Sequence, residues 1–234
     1  MSILHRGFVK RYLARRGMSL VQEPGLWDFL DTRAVDLVVD VGANAGQFAR
    51  EIRSLGYRGR IHSFEPLPQA FAELERHAAS DPLWDVSNVG VGGKVGKLEI
   101  NVAKNSVFSS FRPLSELAGR FDPNSETVET LRVPVVTLDN ALRADQARSI
   151  FLKIDTQGFE QEVLAGAKNL LKCCVGVQLE LPVDHLYEGV WSFNEALAAM
   201  HRYGFVPAQF RAVNPRAGDR AAAVEFDAIF RRKD

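Results

Sequence analysis

The sequence has few of the features that mark secreted, membrane or nucleic-acid-binding proteins. It has only two cysteines, and because Cys173 and Cys174 are adjacent they favour neither a disulfide nor a zinc site. No apolar run approaches the roughly 18 residues that span a bilayer. Lys and Arg (29) balance Asp and Glu (29), so the basic surplus of a nucleic-acid binder is missing. We expect a reduced, cytoplasmic protein with no nucleic-acid partner.

The composition, 46% hydrophobic and 25% charged, is that of an ordinary globular domain. The length suits one domain, which we place at residues 31–234 after an N-terminal helical extension at residues 1–30. Residues 1–17 combine basic side chains with apolar residues near one helical face and contain no acid. We interpret them as a surface helix, and the alternative is peripheral contact with an anionic membrane or an acidic partner.

Short apolar strands alternate with amphipathic helices along most of the chain. The predicted strands are residues 36–41, 60–64, 86–91, 149–154 and 175–181. This alternation predicts a parallel sheet that is covered by helices on both faces. Two last strands, residues 205–210 and 224–230, are joined too closely for a crossover helix and should be antiparallel.

The alternation is interrupted by a segment at about residues 97–137. Residues 97–102 and 131–137 have strand patterns, and the stretch between them is rich in serine and asparagine. We interpret the segment as a β-rich insertion, a hairpin with loops, between the third and fourth strands of the main sheet.

A glycine-containing loop, VDVGANAG, follows the first strand. Glycines at this position let the backbone approach a ligand closely. The loop departs from the G-x-G-x-x-G spacing of nicotinamide cofactor sites. Asp40 would repel a pyrophosphate but attract the ammonium group of S-adenosylmethionine, so the loop favours that cofactor over a dinucleotide. The alternative is a turn without a ligand, and the candidate contacts beside Asp40 are Gly42, Ala43, Asn44 and Gly46.

An acidic residue, Glu65, follows the second predicted strand. An acid about 20 residues beyond such a glycine loop is placed to accept both hydroxyls of an adenosine ribose. The alternative is an exposed glutamate at a helix start, where the helix dipole favours it. The other candidate cofactor contacts are Phe64, Pro66, Asn88, Gly90 and Asp155.

Four segments, VDVGANAGQFA, FEP, VTLDNAL and KIDTQGFEQEVLAGA, occur in this order. Over residues 38–180 they resemble the FkbM family of S-adenosylmethionine-dependent O-methyltransferases. The resemblance implies a Rossmann-like class I methyltransferase fold, an α/β fold whose seven-stranded, mostly parallel sheet has the order 3-2-1-4-5-7-6. It also implies methyl transfer to a hydroxyl of a sugar or a polyketide-type natural product. The serine-rich residues 105–110 resemble a segment of the family's insertion.

Polar residues follow the fourth and fifth strands of the main sheet, at the edge where open α/β sheets bind ligands. A hydroxyl is a poor nucleophile, so it needs a base, a metal ion or tight positioning. Asp155 is the first candidate for the base, His185 is the second, and Glu180 could orient the acceptor. Alternatively, Asp155 caps the next helix and His185 is a polar loop residue. With Asp184 they could instead bind Mg²⁺, although their spacing is not diagnostic.

The acceptor pocket is expected to come from residues 104–132 and 182–191, which carry flat aromatic rings and short polar side chains. This mixture suits a pyranose, which has an apolar face and a rim of hydroxyls. We therefore expect a sugar hydroxyl on a glycolipid or glycosylated natural product, with a macrolide or polyketide hydroxyl as the alternative. A non-catalytic cofactor-binding protein and a homo-oligomer are left open. The aromatic residues are Phe108, Phe111, Phe121, Tyr187 and Trp191.

Overall fold

The computed structural model describes residue 16 and residues 25–142, 147–216 and 219–233. Most of the predicted N-terminal extension, including the membrane contact suggested for residues 1–17, thus lies outside the described residues. Within the described part, no helix is both long enough and apolar enough to span a bilayer.

Strands and helices alternate as predicted outside the insertion. The strands are β1 (Leu37–Val41), β2 (Arg60–Phe64), β3 (Trp84–Ser87), β4 (Gly90–Val91), β5 (Gly96–Ala103), β6 (Thr127–Val136), β7 (Ile150–Ile154), β8 (Cys174–Pro182), β9 (Phe205–Arg216) and β10 (Asp219–Arg232). The helices are α1 (Leu26–Thr32), α2 (Gln47–Leu55), α3 (Pro68–Ala78), α4 (Ala118–Phe121), α5 (Leu138–Ala141), α6 (Glu160–Ala165), α7 (Leu170–Cys173) and α8 (Phe193–Arg202).

Seven strands form the main sheet in the order β3-β2-β1-β7-β8-β10-β9. When the strands of this sheet alone are numbered, the order is 3-2-1-4-5-7-6, so the predicted order is confirmed. Only β10 runs antiparallel to its neighbours, β8 and β9. The predicted terminal hairpin is therefore confirmed, and its strands extend further than expected, to Arg216 and from Asp219.

Alternate residues of the central strands enter two separate cores, because side chains along a strand point to opposite faces. Val39 and Val41 pack with α6, α7 and α8, whereas Val38 packs with α1, α2 and α3. The strands are buried on both faces, so they are apolar along their whole length. This burial makes the few polar residues inside them informative.

The predicted third strand, residues 86–91, is two strands. Trp84–Ser87 pairs with β2 in the main sheet, and Gly90–Val91 pairs with β6 in the smaller one. Asn88 lies at the break, where its side-chain amide donates to the carbonyls of Glu65 and Pro66 at 2.9 and 3.2 Å.

The insertion contains the predicted antiparallel hairpin, formed by β5 and β6. Ile100 and Val133 pack it against Leu67 and Ala70 at the start of α3. Further along, Ala118 packs against residues of the loop that follows β8. These contacts hold residues 105–111 over the carboxyl ends of the main-sheet strands, where they line a cavity.

Candidate active site

A cavity of about 630 Å³ opens at the carboxyl ends of the main-sheet strands. Its size lies within the usual 300–1,000 Å³ of small-molecule sites. The strand order reverses between β1 and β7, and such a reversal creates the crevice in which α/β proteins bind ligands. The cavity has one half beside β1 and β2 and the other beside β7, β8 and β10, under the insertion.

The glycine loop lines the first half of the cavity. Gly42 has φ 75°, and a Cβ placed on it would lie 1.8 Å from the carbonyl oxygen of Asp155. Only glycine therefore permits this contact between the loops after β1 and β7. The N–H groups of Gly42 and Ala43 both donate to the Phe64 carbonyl at 3.0 Å, so these two donors are already used within the protein. Asn44 also lines the cavity, and its amide donates to Ser106 Oγ at 3.1 Å.

Gly46 has a packing role. It begins α2 with φ 84°, and a Cβ there would lie 2.9 Å from the side chains of Leu74 and Trp84. Gly46 is absent from the cavity wall, as is Asn88, which instead fixes the carbonyls beside Glu65. The predicted direct contacts of these two residues with a cofactor therefore do not fit the geometry. Phe64, Pro66 and Gly90 do line the cavity.

Glu65 lies in the cavity wall at the end of β2 and is 4% exposed. Its two carboxylate oxygens accept the backbone N–H groups of Asn44 and Leu67, both at 2.8 Å. Burial raises the pKa of Glu65 to about 7, although these two hydrogen bonds oppose the shift. The carboxylate is thus held beside the glycine loop with lone pairs still available to a ligand.

A buried polar row crosses the sheet below the cavity. Ser63, Asp40, Lys153 and Gln178 are neighbours on β2, β1, β7 and β8. Lys153 Nζ lies 3.2 Å from Asp40 Oδ1, and Ser63 donates to Asp40 Oδ2 at 3.3 Å. Burial alone would lower the pKa of Lys153, but the charges of Asp40 and Asp155 raise it overall.

The expected ion pair between Asp40 and a cofactor ammonium group does not fit this arrangement. Asp40 is fully buried, does not line the cavity, and has Lys153 as its counterion. Burial raises its pKa despite that lysine. The sequence argument placed a carboxylate beside the loop but could not show that the sheet supplies the cation. Asp40 therefore acts indirectly: it pairs with Lys153, whose ammonium group donates to the carbonyl of Gly42 in the glycine loop at 3.2 Å.

Asp155 reaches the second half of the cavity from the end of β7, and its side chain is 36% exposed. Lys153 Nζ lies 3.4 Å from its Oδ2. The side-chain amide of Gln157 donates to Asp155 Oδ1 at 2.8 Å and to Glu180 Oε2 at 2.9 Å. The same amide accepts the hydroxyl of Tyr187 at 2.7 Å. One glutamine thus holds the two predicted carboxylates in one cluster.

The loop between β7 and α6 is held by another residue, Glu160, the first residue of α6. Glu160 is buried, and its Oε1 accepts the N–H groups of Thr156 and Gly158 and the Thr156 hydroxyl, each at 3.1 Å. Asp155 makes no capping hydrogen bond to α6. The interpretation of Asp155 as a helix cap is therefore wrong, and its carboxylate is directed to the cavity cluster.

His185 is exposed and does not line this cavity. It is also absent from the wall of a smaller neighbouring cavity, which Gln157, Glu180 and Tyr187 line. Its backbone carbonyl accepts the Ser115 hydroxyl at 2.7 Å, which ties the loop after β8 to the insertion. Its proposed role as second candidate base therefore does not fit the structure. The loop carries His185 away from β8, a path that sequence spacing could not reveal.

The residues that the structure describes do not form a metal site. No group of three or more His, Cys, Asp or Glu side chains has a metal-binding arrangement in this part of the chain. The amide of Gln157 donates to both Asp155 and Glu180, so an N–H group stands where a shared cation would lie. The cluster therefore does not fit the Mg²⁺ ligand set that the sequence suggested.

Sequence reasoning missed the polar residues on β8, β9 and β10 that line the second half of the cavity. They share one face of the sheet, since Glu180 faces Asp227 and Asp227 faces Arg211 across the strands. The available signal was polar residues inside apolar strand patterns, where a buried sheet face would exclude them. The missed residues are Gln178, Arg211, Asn214, Glu225 and Asp227.

Replacing Gln157 with methionine should destabilise the protein more at pH 8 than at pH 5. Burial, with the nearby charge of Asp155, raises the pKa of Glu180 well above its ordinary value. Its ionisation therefore opposes folding as pH rises, and the Gln157 amide offsets part of that cost. We expect a loss of about 1–3 kcal/mol at pH 8, measured by urea unfolding, and a smaller loss at pH 5.

The control for this prediction is the same replacement in a Glu180→Gln background. There the pH dependence should largely disappear, because the titrating partner is gone. An equal loss of stability at both pH values in the wild-type background would mean that Gln157 acts only through packing.

Comparison with known proteins identifies the family of this chain. The Methyltransferase FkbM domain profile matches residues 40–207. The 2-O-methyltransferase NoeI of Sinorhizobium fredii (strain NBRC 101917 / NGR234) is 26% identical over 166 residues, which cover 65% of this chain and 66% of that protein. Methyltransferase FkbM from Methylobacillus flagellatus KT superposes with a TM-score of 0.51 at 16% identity, over 84% of this chain and 43% of that one.

The chain therefore spans just under two thirds of the curated relative and less than half of the superposed structure. At 16% identity the superposition supports the α/β methyltransferase fold. The profile match covers most of the chain and includes the glycine loop, Glu65, Asp155 and Glu180. The chain belongs to the FkbM methyltransferase family.

Proposed function

We propose that this protein is an S-adenosylmethionine-dependent O-methyltransferase whose acceptor is a hydroxyl of a sugar in a glycolipid or glycosylated natural product. The observation that carries the proposal is the division of one cavity at the β1–β7 reversal. Glu65 and the glycine loop lie on one side of it. Asp155 and Glu180 lie on the other, beneath the polar and aromatic residues of the insertion.

Glu65 would hold the ribose of the cofactor, and the loop around Gly42 would lie along its methionine end. A buried carboxylate that still has free lone pairs suits a pair of ribose hydroxyls. Gly42 lines the cavity, and its lack of a Cβ lets the loop lie directly against the Asp155 carbonyl. When bound, the cofactor supplies a sulfonium methyl group, which passes to the acceptor oxygen while the bond from sulfur to that methyl breaks.

Asp155 would accept the proton that the acceptor hydroxyl loses. Its carboxylate is partly exposed to the cavity, and Lys153 and Gln157 fix it from behind. Glu180 shares the Gln157 amide and would help to orient the acceptor. General-base help of this kind is typically worth about a hundredfold to ten-thousandfold in rate.

The insertion provides the aromatic and polar surfaces expected for a sugar. Phe108 and Phe121 line the cavity with their ring centroids 6.2 Å apart, and Ser106, which accepts the side-chain amide of Asn44, lines it as well. The hydroxyl of Tyr187 donates a hydrogen bond to Gln157, and Trp191 is buried in the main core. Neither of these two therefore offers the flat acceptor surface expected from the sequence. The 2-O-methyltransferase activity in the name of the Sinorhizobium relative also supports an oxygen acceptor.

The acceptor class can be tested with radiolabelled cofactor and matched acceptor pairs, each pair a glycoside and its free aglycone. We expect label in the glycosides only, at a sugar oxygen. Methylation of the aglycones at full rate would favour a macrolide or polyketide hydroxyl. If the protein binds S-adenosylhomocysteine tightly but methylates no component of cell extracts, a non-catalytic cofactor-binding protein would be favoured.

Replacing Glu65 with glutamine should weaken binding of S-adenosylhomocysteine by about 1.5–3 kcal/mol, the value of hydrogen bonds to a charged group. Because burial raises the pKa of Glu65 to about 7, wild-type affinity should rise between pH 6 and pH 8 as the carboxylate ionises. Titration calorimetry at both pH values measures this change. An unchanged affinity in the variant would remove Glu65 from the cofactor site.

A further inference from the structure

A wall of carboxylates lies on β8 and β10 in the half of the cavity assigned to the acceptor. Glu180 and Asp227 face each other directly across the two strands, and Glu225 lies two residues before Asp227 on the same face. All three line the cavity. Like charges in directly opposed positions destabilise a sheet. This arrangement therefore lowers the stability of the fold, which points to a functional role for it.

Each carboxylate of this wall is held through one of its oxygens. Glu180 Oε2 accepts the amide of Gln157 at 2.9 Å, and Glu225 Oε1 accepts the amide of Asn214. Asp227 Oδ2 accepts the guanidinium of Arg211 at 2.6 and 3.2 Å. Among the described residues no donor reaches the second oxygen of any of the three. Those oxygens remain as hydrogen-bond acceptors for a ligand.

A fourth acceptor lies beside them. Gln178 is 8% exposed and lines the cavity, and its Oε1 has no hydrogen-bond partner in the part of the chain that the structure describes. Leaving a buried amide oxygen without a donor is unfavourable. A ligand with hydroxyl groups would satisfy it together with the three carboxylates.

The charge of this wall is not balanced by free cations. Of the described residues that line the cavity, Lys153 and Arg211 are the cations, and each already pairs with carboxylates, Lys153 with Asp40 and Asp155, and Arg211 with Asp227. Burial raises the pKa of Glu180 and, to about 7, that of Glu225, so an incoming phosphate or carboxylate would add negative charge where ionisation is already disfavoured. It would find no unpaired cation in the described wall. Electrostatic mismatch of this kind excludes ligands effectively.

We propose that this wall binds the non-reacting hydroxyls of the acceptor sugar and rejects acceptors that carry a phosphate or carboxylate next to that sugar. The inference rests on the proposed sugar O-methyltransferase function and specifies its substrate class. A sugar nucleoside diphosphate is excluded by this wall. Glycosyl transfer must therefore come first, and methylation acts on the sugar after it has left its nucleotide carrier.

The test uses the full chain saturated with S-adenosylhomocysteine at pH 8, with ligand binding followed by saturation-transfer NMR. The probes are methyl glucoside, methyl glucuronide and glucose 1-phosphate, which share one ring and differ in charge. We expect the neutral glycoside to bind and the two anionic probes to bind at least about tenfold more weakly.

Variants of the wall residues test whether the wall causes the preference for the neutral probe over the anionic ones. Asp227→Asn and Glu225→Gln should each reduce the difference in affinity between the neutral and the anionic probes. The effect of Asp227→Asn should be larger, because it also frees the guanidinium of Arg211 to attract an anion. Gln178→Leu should weaken binding of the neutral probe without changing the preference. Glu73→Gln, on the exposed face of α3, is the matched control and should change nothing.

Three outcomes would count against the inference, and they can be told apart. Anionic probes that bind as well as the neutral one, in a protein that binds S-adenosylhomocysteine, overturn the wall but leave the methyltransferase function standing. Failure of the neutral probe to bind that same loaded protein overturns the sugar-binding role of the wall. Failure to bind S-adenosylhomocysteine at all contradicts the proposed function itself.

Discussion

Replacing Asp155 with asparagine should lower the rate of methyl transfer by about a hundredfold or more. Asparagine keeps the shape of the side chain, and its carbonyl oxygen can still accept the Gln157 amide, which now lies 2.8 Å from Asp155 Oδ1. It cannot take up the proton of the acceptor hydroxyl. The effect should therefore appear in kcat, whereas affinity for S-adenosylhomocysteine should change little.

The rate is measured with labelled cofactor and an acceptor glycoside identified as described above, and His185→Ala is the control. His185 is exposed and outside the cavity, so that variant should turn over at the wild-type rate. Normal turnover of Asp155→Asn would show that positioning alone suffices, and Glu180→Gln would then be the next variant to measure.

Replacing Lys153 with methionine should reduce the free energy of unfolding by about 3–5 kcal/mol, because it leaves a buried charge without its partner. Asp40 is fully buried, and the other group that contacts its carboxylate is the hydroxyl of Ser63. Lys153 Nζ also lies 5.6 Å from the centroid of the Phe48 ring, a cation–π contact, and methionine replaces this cation with an apolar group of similar length. The loss is therefore expected to be electrostatic.

The sign of the pH dependence separates this cause from a packing defect. Burial raises the pKa of Asp40, and without Lys153 that carboxyl should fold protonated. Its penalty then grows as pH rises, so Lys153→Met should be less destabilised at pH 5 than at pH 8. The double variant Asp40→Leu/Lys153→Met should recover most of the stability in urea unfolding. A double variant as unstable as the single one would refute the charge argument.

The half of the cavity beside the glycine loop was predicted in part from sequence, because its elements are local. A strand, a glycine loop and a helix occur within a short segment at Gly42, and the distance to Glu65 is set by one helix and one strand. This local spacing predicted that the glycine loop and Glu65 lie close together. They did not predict that Gly46 packs against Trp84, because that contact joins residues far apart in the chain.

The acceptor half was predicted only in part. Asp155 and Glu180 were found because both lie near the ends of strands that were recognised. Asp227 and Glu225 were not found, because they enter the site only through the antiparallel register between β10 and β8. The same limitation explains Asp40 and Lys153, whose pairing depends on the register of β1 and β7.

The insertion makes two hydrogen-bonded contacts beside the loop that follows β7. Ser110 donates to the carbonyl of Gln157 at 2.6 Å, and the hydroxyl of Tyr187, which contacts Gln157, lies 3.1 Å from the carbonyl of Phe108. The segment before these anchors, which carries the exposed Val107, has no part in the main core. If the proposed acceptor site is correct, exchange of residues 104–108 between homologues, with Ser110 and Tyr187 kept, should change the acceptor range and leave the main core intact.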